Sequence, residues 1–340
     1  MPTLSSNLKH LRLLLGRSQG EFAEQLGIAQ STLSSVEREN RPPSTKLINT
    51  ARFQTGVSAE YFEASIHFYA APDLLFRSAR EGRANADKIA AAFSITEHYL
   101  RERYPDVTSD LPTIPIADLE GELSLRMLEE FASQTRDHFG IDQDSMIPNL
   151  TTVLNNHGIL VTSLPDYVVE ETNFDGVSTP TDSTLRIIAL NQQRSGDRYR
   201  FSLAHELAHL ILHANTLRSD KSQMEKEANI FAASFLMPRA LLTPVITPEL
   251  TLKDYAELKA QWGYSIQAIV RRAHELELID YKRYRSLRMQ IAGRGWNINE
   301  PVDVLLENVY IDPIDLLSNN IKKHQSTNEG LATVTSLHKQ

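Results

Sequence analysis

The chain has 340 residues, no cysteine and a formal net charge of −8. Without cysteine there is no disulfide scaffold, thiolate zinc finger, iron–sulfur cluster or cysteine nucleophile, so a metal must be held by His, Asp or Glu. No apolar run approaches the ~18 residues of a membrane span, and the N-terminus lacks a signal-peptide pattern, so the expectation is a cytoplasmic protein with no membrane partner.

At roughly 150 residues per domain, the length predicts two or three domains. Residues 1–60 carry seven Lys/Arg against five Asp/Glu, and residues 251–295 carry nine against five, so two mildly basic modules flank an acidic middle. The first 60 residues read as short helices. Leu8, Leu11 and Leu15 recur at helical steps. Ser18 and Glu21 make a capping box ahead of Phe22, Ala23 and Leu26, and Gly27 ends that helix. Another helix is predicted over Gln30–Glu37 with Leu33 and Val36 inward; Arg41-Pro42-Pro43 stops it and Ser44 caps the next. The run Gln19–Ile28 followed by Gln30–Arg38 resembles the Xre-type helix-turn-helix domain. That resemblance implies that Gln30 and Ser31, with Ser35 one turn on, read base edges in the major groove of a duplex DNA operator. Gln19 would hydrogen-bond a phosphate, and Arg17, Arg38, Arg41 and Lys46 would supply phosphate charge. A small bundle used for dimerisation or protein binding is the competing reading. The modest charge makes two copies, a homodimer, the expected binding unit.

Residues 66–103 read as an amphipathic helix with small residues at Ala84, Ala86 and Ala90–Ala92. Pro105, Pro112 and Pro115 mark 104–120 as a linker or extended connection, across which the two halves could move separately. Helical signals return at 121–139. Residues 159–163 and 185–190 read as strands, with Asp175-Gly176-Val177-Ser178 between them. Residues 200–214, 222–237 and 251–290 read as helices.

The sharpest signal is His205-Glu206-Leu207-Ala208-His209. Two histidines four residues apart on a helix share a face and can meet one cation. Glu206 is placed to take a proton from a water that zinc acidifies toward a pKa of ~7. The competing reading is a pair of satisfied core histidines. A third ligand is needed. His213 lies about 12 Å along the axis from His205, too far to share one ion, and is expected behind the ligands. Glu225 and Glu227 on the next helix are both candidates. They differ by about 200° round the helix at 3.6 residues per turn, so at most one faces the metal and the other reads as a solvated charge.

Arg200–His209, followed by Glu225, Glu227, Ala228, Asn229, Phe231–Ala233 and Phe235–Pro238, resembles the ImmA/IrrE family of zinc metallopeptidases over roughly residues 120–240. The resemblance implies a gluzincin-type site: one zinc ion (Zn2+) per chain on His205, His209 and Glu225, the last lying four residues before Asn229, with Glu206 as general base. It also implies a protein substrate such as a repressor or antitoxin.

Within 251–295, Leu258, Trp262, Ile266, Ile269 and Val270 read as core, and Arg271, Arg272, Lys282, Arg283, Arg285 and Arg288 as a basic, solvated face. The expected fold class is mainly α with a small α+β domain. The expected division is 1–65 helix-turn-helix bundle, 66–120 helical connector and Pro-rich linker, 121–245 gluzincin-like metallopeptidase domain with a short sheet, 246–325 C-terminal helices, and 326–340 frayed tail. The functional expectation is a DNA-binding transcriptional regulator with a zinc metalloendopeptidase domain. Its alternative is a DNA-binding sensor or antitoxin-like regulator whose second domain binds a ligand without cleaving it.

Overall fold

The computed structural model describes residues 4–74, 76–77, 82–114, 121–180, 184–213, 220–307 and 311–312. The expected linker residues 115–120, the end of the C-terminal helical region beyond 312 and the tail 326–340 lie outside the described residues.

Five helices open the chain: α1 (Leu4–Leu14), α2 (Gln19–Gln25), α3 (Gln30–Glu37), α4 (Thr45–Thr55) and α5 (Ala59–Glu63). Their ends follow from local chemistry. The Ser18 hydroxyl accepts from Glu21 N at 3.3 Å and Glu21 Oε2 accepts from Ser18 N at 2.8 Å, closing the capping box. Ser44 caps α4, and Gly56 ends it in the left-handed region. Leu8, Leu11, Phe22, Leu33 and Val36 are wholly buried between these helices, while Leu14 takes the full burial expected of Leu15. A buried bidentate pair, Arg12 to Glu37 at 2.6 and 2.9 Å, ties α1 to α3.

The helix expected over 66–103 starts only at Arg83: α6 spans Arg83–Arg103. Pro72 lacks an N–H and disfavours helix in the residue before it. Residues 66–74 hold only one 3₁₀ turn, Ala71–Asp73, and β1 (Phe76–Arg77) follows.

The remaining elements are α7 (Leu125–His138), α8 (Leu150–Asn156), β2 (Ile159–Thr162), α9 (Asp166–Val169), β3 (Gly176–Ser178), β4 (Arg186–Leu190), α10 (Gly196–Leu212), α11 (Lys221–Leu236), α12 (Arg239–Leu242), α13 (Leu252–Trp262), α14 (Ile266–Glu275) and α15 (Tyr281–Gly293). The strands form one mixed sheet in the order β1-β3-β4-β2, with β2 parallel to β4 and the other pairs antiparallel. Ile159, Val161, Ile188 and Leu190 pack into a core with α7, α10, α11 and the helices α13–α15. Leu160, Val177, Ile187 and Ala189 pack into a second core shared with α6 and the N-terminal helices. The period-2 alternation of the strands thus assigns each face to a different half of the molecule.

The connection 104–114 is extended, as expected, but it is fastened down. Ser109 N donates to Thr184 O at 2.7 Å, Ser109 Oγ donates to Gly158 O at 2.7 Å, and Asp110 N donates to His157 O at 2.8 Å. Gly158, at φ +71°, allows this approach, since a Cβ there would stand 2.2 Å from the Thr108 carbonyl oxygen. The segment after α15 is anchored by two buried carboxylates. Glu300 accepts from Lys259 Nζ at 3.1 Å and from Ile266 N at 2.7 Å, and Glu307 pairs with Arg200 at 2.9 Å and accepts from Thr151 N at 2.7 Å. Leu258, Trp262, Ile266, Ile269 and Val270 are buried, as expected. Arg272 does not belong to the basic face. It is buried and donates to Met237 O at 3.1 Å and Glu129 Oε1 at 2.9 Å, because its position on α14 turns toward α7 and the end of α11.

Ile187→Ala should cost about 2–5 kcal/mol, as large-to-small core changes do. Because the sheet joins both cores, the far-UV ellipticity and the fluorescence of Trp262 and Trp296 should shift together in urea. Two separated transitions would show instead that each half carries its own stability.

Candidate metal centre and nucleic-acid interface

Helices α10 and α11 pack side by side and bring three donor atoms together. His205 Nε2 lies 3.1 Å from His209 Nε2, and Glu225 Oε2 and Oε1 lie 3.3 and 3.2 Å from the two histidines in turn. Donors in a tetrahedral zinc set, bonded at ~2.0–2.1 Å, stand about 3.3 Å apart. The triangle therefore has the size of one face of such a set. His205 and His209 are buried while the Glu225 side chain is 35% exposed, so the triangle opens to solvent on the glutamate side. Burial pushes the Glu225 carboxyl up, but hydrogen bonds to His205 and His209 outweigh it and hold the group well below the usual carboxylate range. That favours the ionised form, which a carboxylate must take to bind a metal.

Behind the triangle runs a second chain of polar groups. His209 Nδ1 lies 2.9 Å from His213 Nδ1, and His213 Nε2 lies 3.2 Å from Glu227 Oε2. If His209 presents the Nε2 lone pair to a metal, its Nδ1–H donates to His213, whose Nε2–H then donates to Glu227. The other Glu227 oxygen accepts from Leu123 N at 3.0 Å and from Gln223 Nε2 at 3.2 Å. His213 thus takes the supporting place expected for it. Glu227 does not take the solvated place expected for it: it is wholly buried. Helical periodicity separates Glu225 from Glu227 but does not reveal that α7 and its entry at Leu123 cover the far side of α11.

The Glu206 side chain reaches the sheet. Its Oε2 accepts from Ser178 Oγ at 2.8 Å. Gly176 makes room: a Cβ there would meet Glu206 Cγ at 2.9 Å. Ser178 and the strand β3 that carries it were not recognisable beforehand; three residues are too few for an alternation signal. The strand end is fixed by buried Asp175, which pairs with Arg194 at 2.9 Å and Arg198 at 2.7 Å. A cavity of about 800 Å³ lies between α10, α11, α14, α15 and the segment after α15, lined among others by Arg198, Phe201, Asn229, Tyr284 and Trp296. His205, Glu206, His209 and Glu225 are not among its lining residues.

In the N-terminal bundle, Gln30, Ser31, Arg38 and Arg41 are exposed and Ser35 is half-buried at the outer side of α3. Arg17 and Lys46 are exposed as well. Gln19 is half-buried, and its amide donates to Glu37 Oε2 at 2.8 Å, joining the Arg12 pair. The buried Glu37 carboxylate thus engages α1, α2 and α3 together and sets how α3 is presented.

The helix-turn-helix family model matches residues 8–50, and the M78 peptidase family model, described as an IrrE N-terminal-like domain, matches residues 154–274. The second match runs from the end of α8 into α14 and includes every residue of the triangle. No curated protein matches the chain.

His205→Ala or His209→Ala should abolish tight zinc binding at this centre, because each removes a donor of the triangle. His213→Ala should weaken binding by roughly 10–100-fold, the usual cost of losing an outer partner. Competition against a chromophoric chelator reads both. Loss of the metal in His213→Ala with retention in Glu225→Ala would reverse the ligand assignment. In gel shifts, Gln30→Ala should change sequence preference, whereas Arg41→Ala should weaken binding to every duplex alike and reduce the salt dependence.

Proposed function

We propose that this chain, which joins a helix-turn-helix DNA-binding domain to an M78 peptidase-type domain, is a cytoplasmic transcriptional regulator that is also a zinc metalloendopeptidase. Its substrate is a repressor or antitoxin protein in a stress, prophage or mobile-element response. The observation that carries this reading is the His205–His209–Glu225 triangle beside Glu206 on the same helix. A structural histidine cluster has no need of a buried carboxylate held next to it by a strand hydroxyl.

His205, His209 and Glu225 would hold zinc, which when bound supplies a Lewis acid for a substrate carbonyl and acidifies water. Glu206 takes a proton from the attacking water and returns it to the leaving amine. Ser178 keeps that carboxylate in one rotamer, and the burial of Glu206 and His205 keeps bulk water from competing for it. The His213–Glu227 chain orients His209. The exposed basic residues Arg17, Arg38, Arg41 and Lys46 support phosphate contact, and their small number supports binding as a homodimer. Among the described residues, no helix is long and apolar enough to cross a membrane.

Glu206→Gln should retain zinc and fold while losing about 10²–10⁴-fold in cleavage of candidate repressor or antitoxin proteins encoded beside it. Undiminished cleavage in that variant would remove the general-base role. In cells, a reporter on the cognate promoter should lose induction in the same variant. Normal induction with Glu206→Gln but none with His205→Ala would instead favour a sensing site that binds without cutting.

A further inference from the structure

A second cluster of metal-binding side chains lies outside the peptidase centre, where three segments distant in sequence meet. His138 ends α7, His157 follows the end of α8, and Asp110 lies on the extended connection between α6 and α7. Asp110 Oδ1 stands 3.2 Å from His138 Nε2, and Asp110 Oδ2 stands 3.2 Å from His157 Nδ1. One ligand atom from each residue can be chosen so that all three lie within 4.8 Å of one another.

Two features set this apart from an ordinary ion-pair cluster. First, His138 Nε2 is buried and makes no aligned hydrogen bond, although a carboxylate oxygen is 3.2 Å away. The other imidazole does bond the carboxylate, His157 Nδ1 to Asp110 Oδ2 at 3.2 Å, so His138 Nε2 is the buried donor atom of the cluster left for an ion to engage. Second, the ion-pair contacts of Asp110 among the described residues are with imidazoles, not with Lys or Arg. With neutral imidazoles the cluster carries −1, which a divalent cation complements. The backbone is also set beforehand. Asp110 N is bonded to His157 O, Ser109 is bonded on both sides, and the His157 ring packs edge-on against Phe139 at 4.7 Å. A cation would bind without having to order the segment first.

We propose that Asp110, His138 and His157 form a second metal site, selective for an imidazole-seeking divalent ion such as zinc rather than for calcium or magnesium. Bound there, the ion staples the connection from the DNA-binding half onto α7 and α8. Its role is structural linkage, and it is independent of the peptidase assignment. The peptidase centre can be removed by His205→Ala/His209→Ala, leaving the second site to be read alone.

The test uses untagged full-length chain carrying that double change, titrated with cobalt(II) as a spectroscopic probe and with zinc against a chelator. One equivalent should still bind, with visible cobalt absorption. Adding His157→Ala should abolish it. Adding Asp110→Asn, a change at an exposed side chain that leaves the fold intact, should weaken it by roughly tenfold or more. Magnesium should not compete. Absence of cobalt and zinc binding in the double variant would overturn the proposal. So would binding that persists unchanged in Asp110→Asn and His157→Ala.

Discussion

The structure depends on a small sheet that is buried on both faces. β2 and β4 carry branched apolar residues at consecutive positions, which an open sheet with one wet face would not tolerate, and each position is claimed by one of two cores. One face seats α10, and through it the histidines. The other seats α6, onto which α1 packs, and through it the helix-turn-helix. The DNA-binding bundle is therefore not hung from the peptidase-type half by a string. It shares a hydrophobic wall with it, and Lys88 of α6 reinforces the join by donating to Tyr167 O at 3.1 Å and Glu171 Oε2 at 2.5 Å.

Within that frame, a buried polar centre has to be neutral or balanced at every point, because an unpartnered charge in an apolar interior costs several kcal/mol. In the metal centre, two carboxylates stand at opposite ends of one run of imidazoles, each within hydrogen-bond reach of a ring, and a bound cation would offset their charge. Glu225 lies at the open end and Glu227 at the closed end, with His205, His209 and His213 between them. The same logic governs the flank. Asp197 and Glu300 share Lys259, and Glu307 is matched to Arg200, so the segment after α15 is bound to α10 and α13 by charge as well as by packing.

Much of this was legible in the chain because local chemistry dictated it. Ser18 with Glu21, Ser44 and Gly27 mark helix ends through bonds each residue makes within its own turn, and the spacing of His205, Glu206 and His209 states its own geometry. What escaped was non-local. Glu225 and Glu227 look alike until α7 covers one of them. Arg272 reads as one more surface arginine until the carbonyl of Met237 is found beneath it. Residues 66–82 lie outside α6 although their apolar residues suit a helix, because Pro72 and Gly82 both break it and Gly82 caps the helix that follows. Asp110, His138 and His157 share no spacing at all; their meeting is a property of the fold.

β1 pairs Phe76 with Val177 and Arg77 with Gly176, along the outer edge of the strand that steadies Glu206. The approach to it is held from the other side, where Lys221, one turn ahead of Glu225, donates to the carbonyl of Pro72. An exposed strand edge is adhesive, and here the chain quenches its own. A shortened protein lacking the first 82 residues would bare that edge, inviting self-association of the peptidase-type half. In the intact chain, any extended polypeptide seeking the same backbone groups meets a competitor tethered in place, at an effective concentration on the order of millimolar. Occupancy of the edge is thus a contest between an intramolecular strand and whatever arrives, and only a sequence with side-chain contacts beyond the backbone pairing can win it.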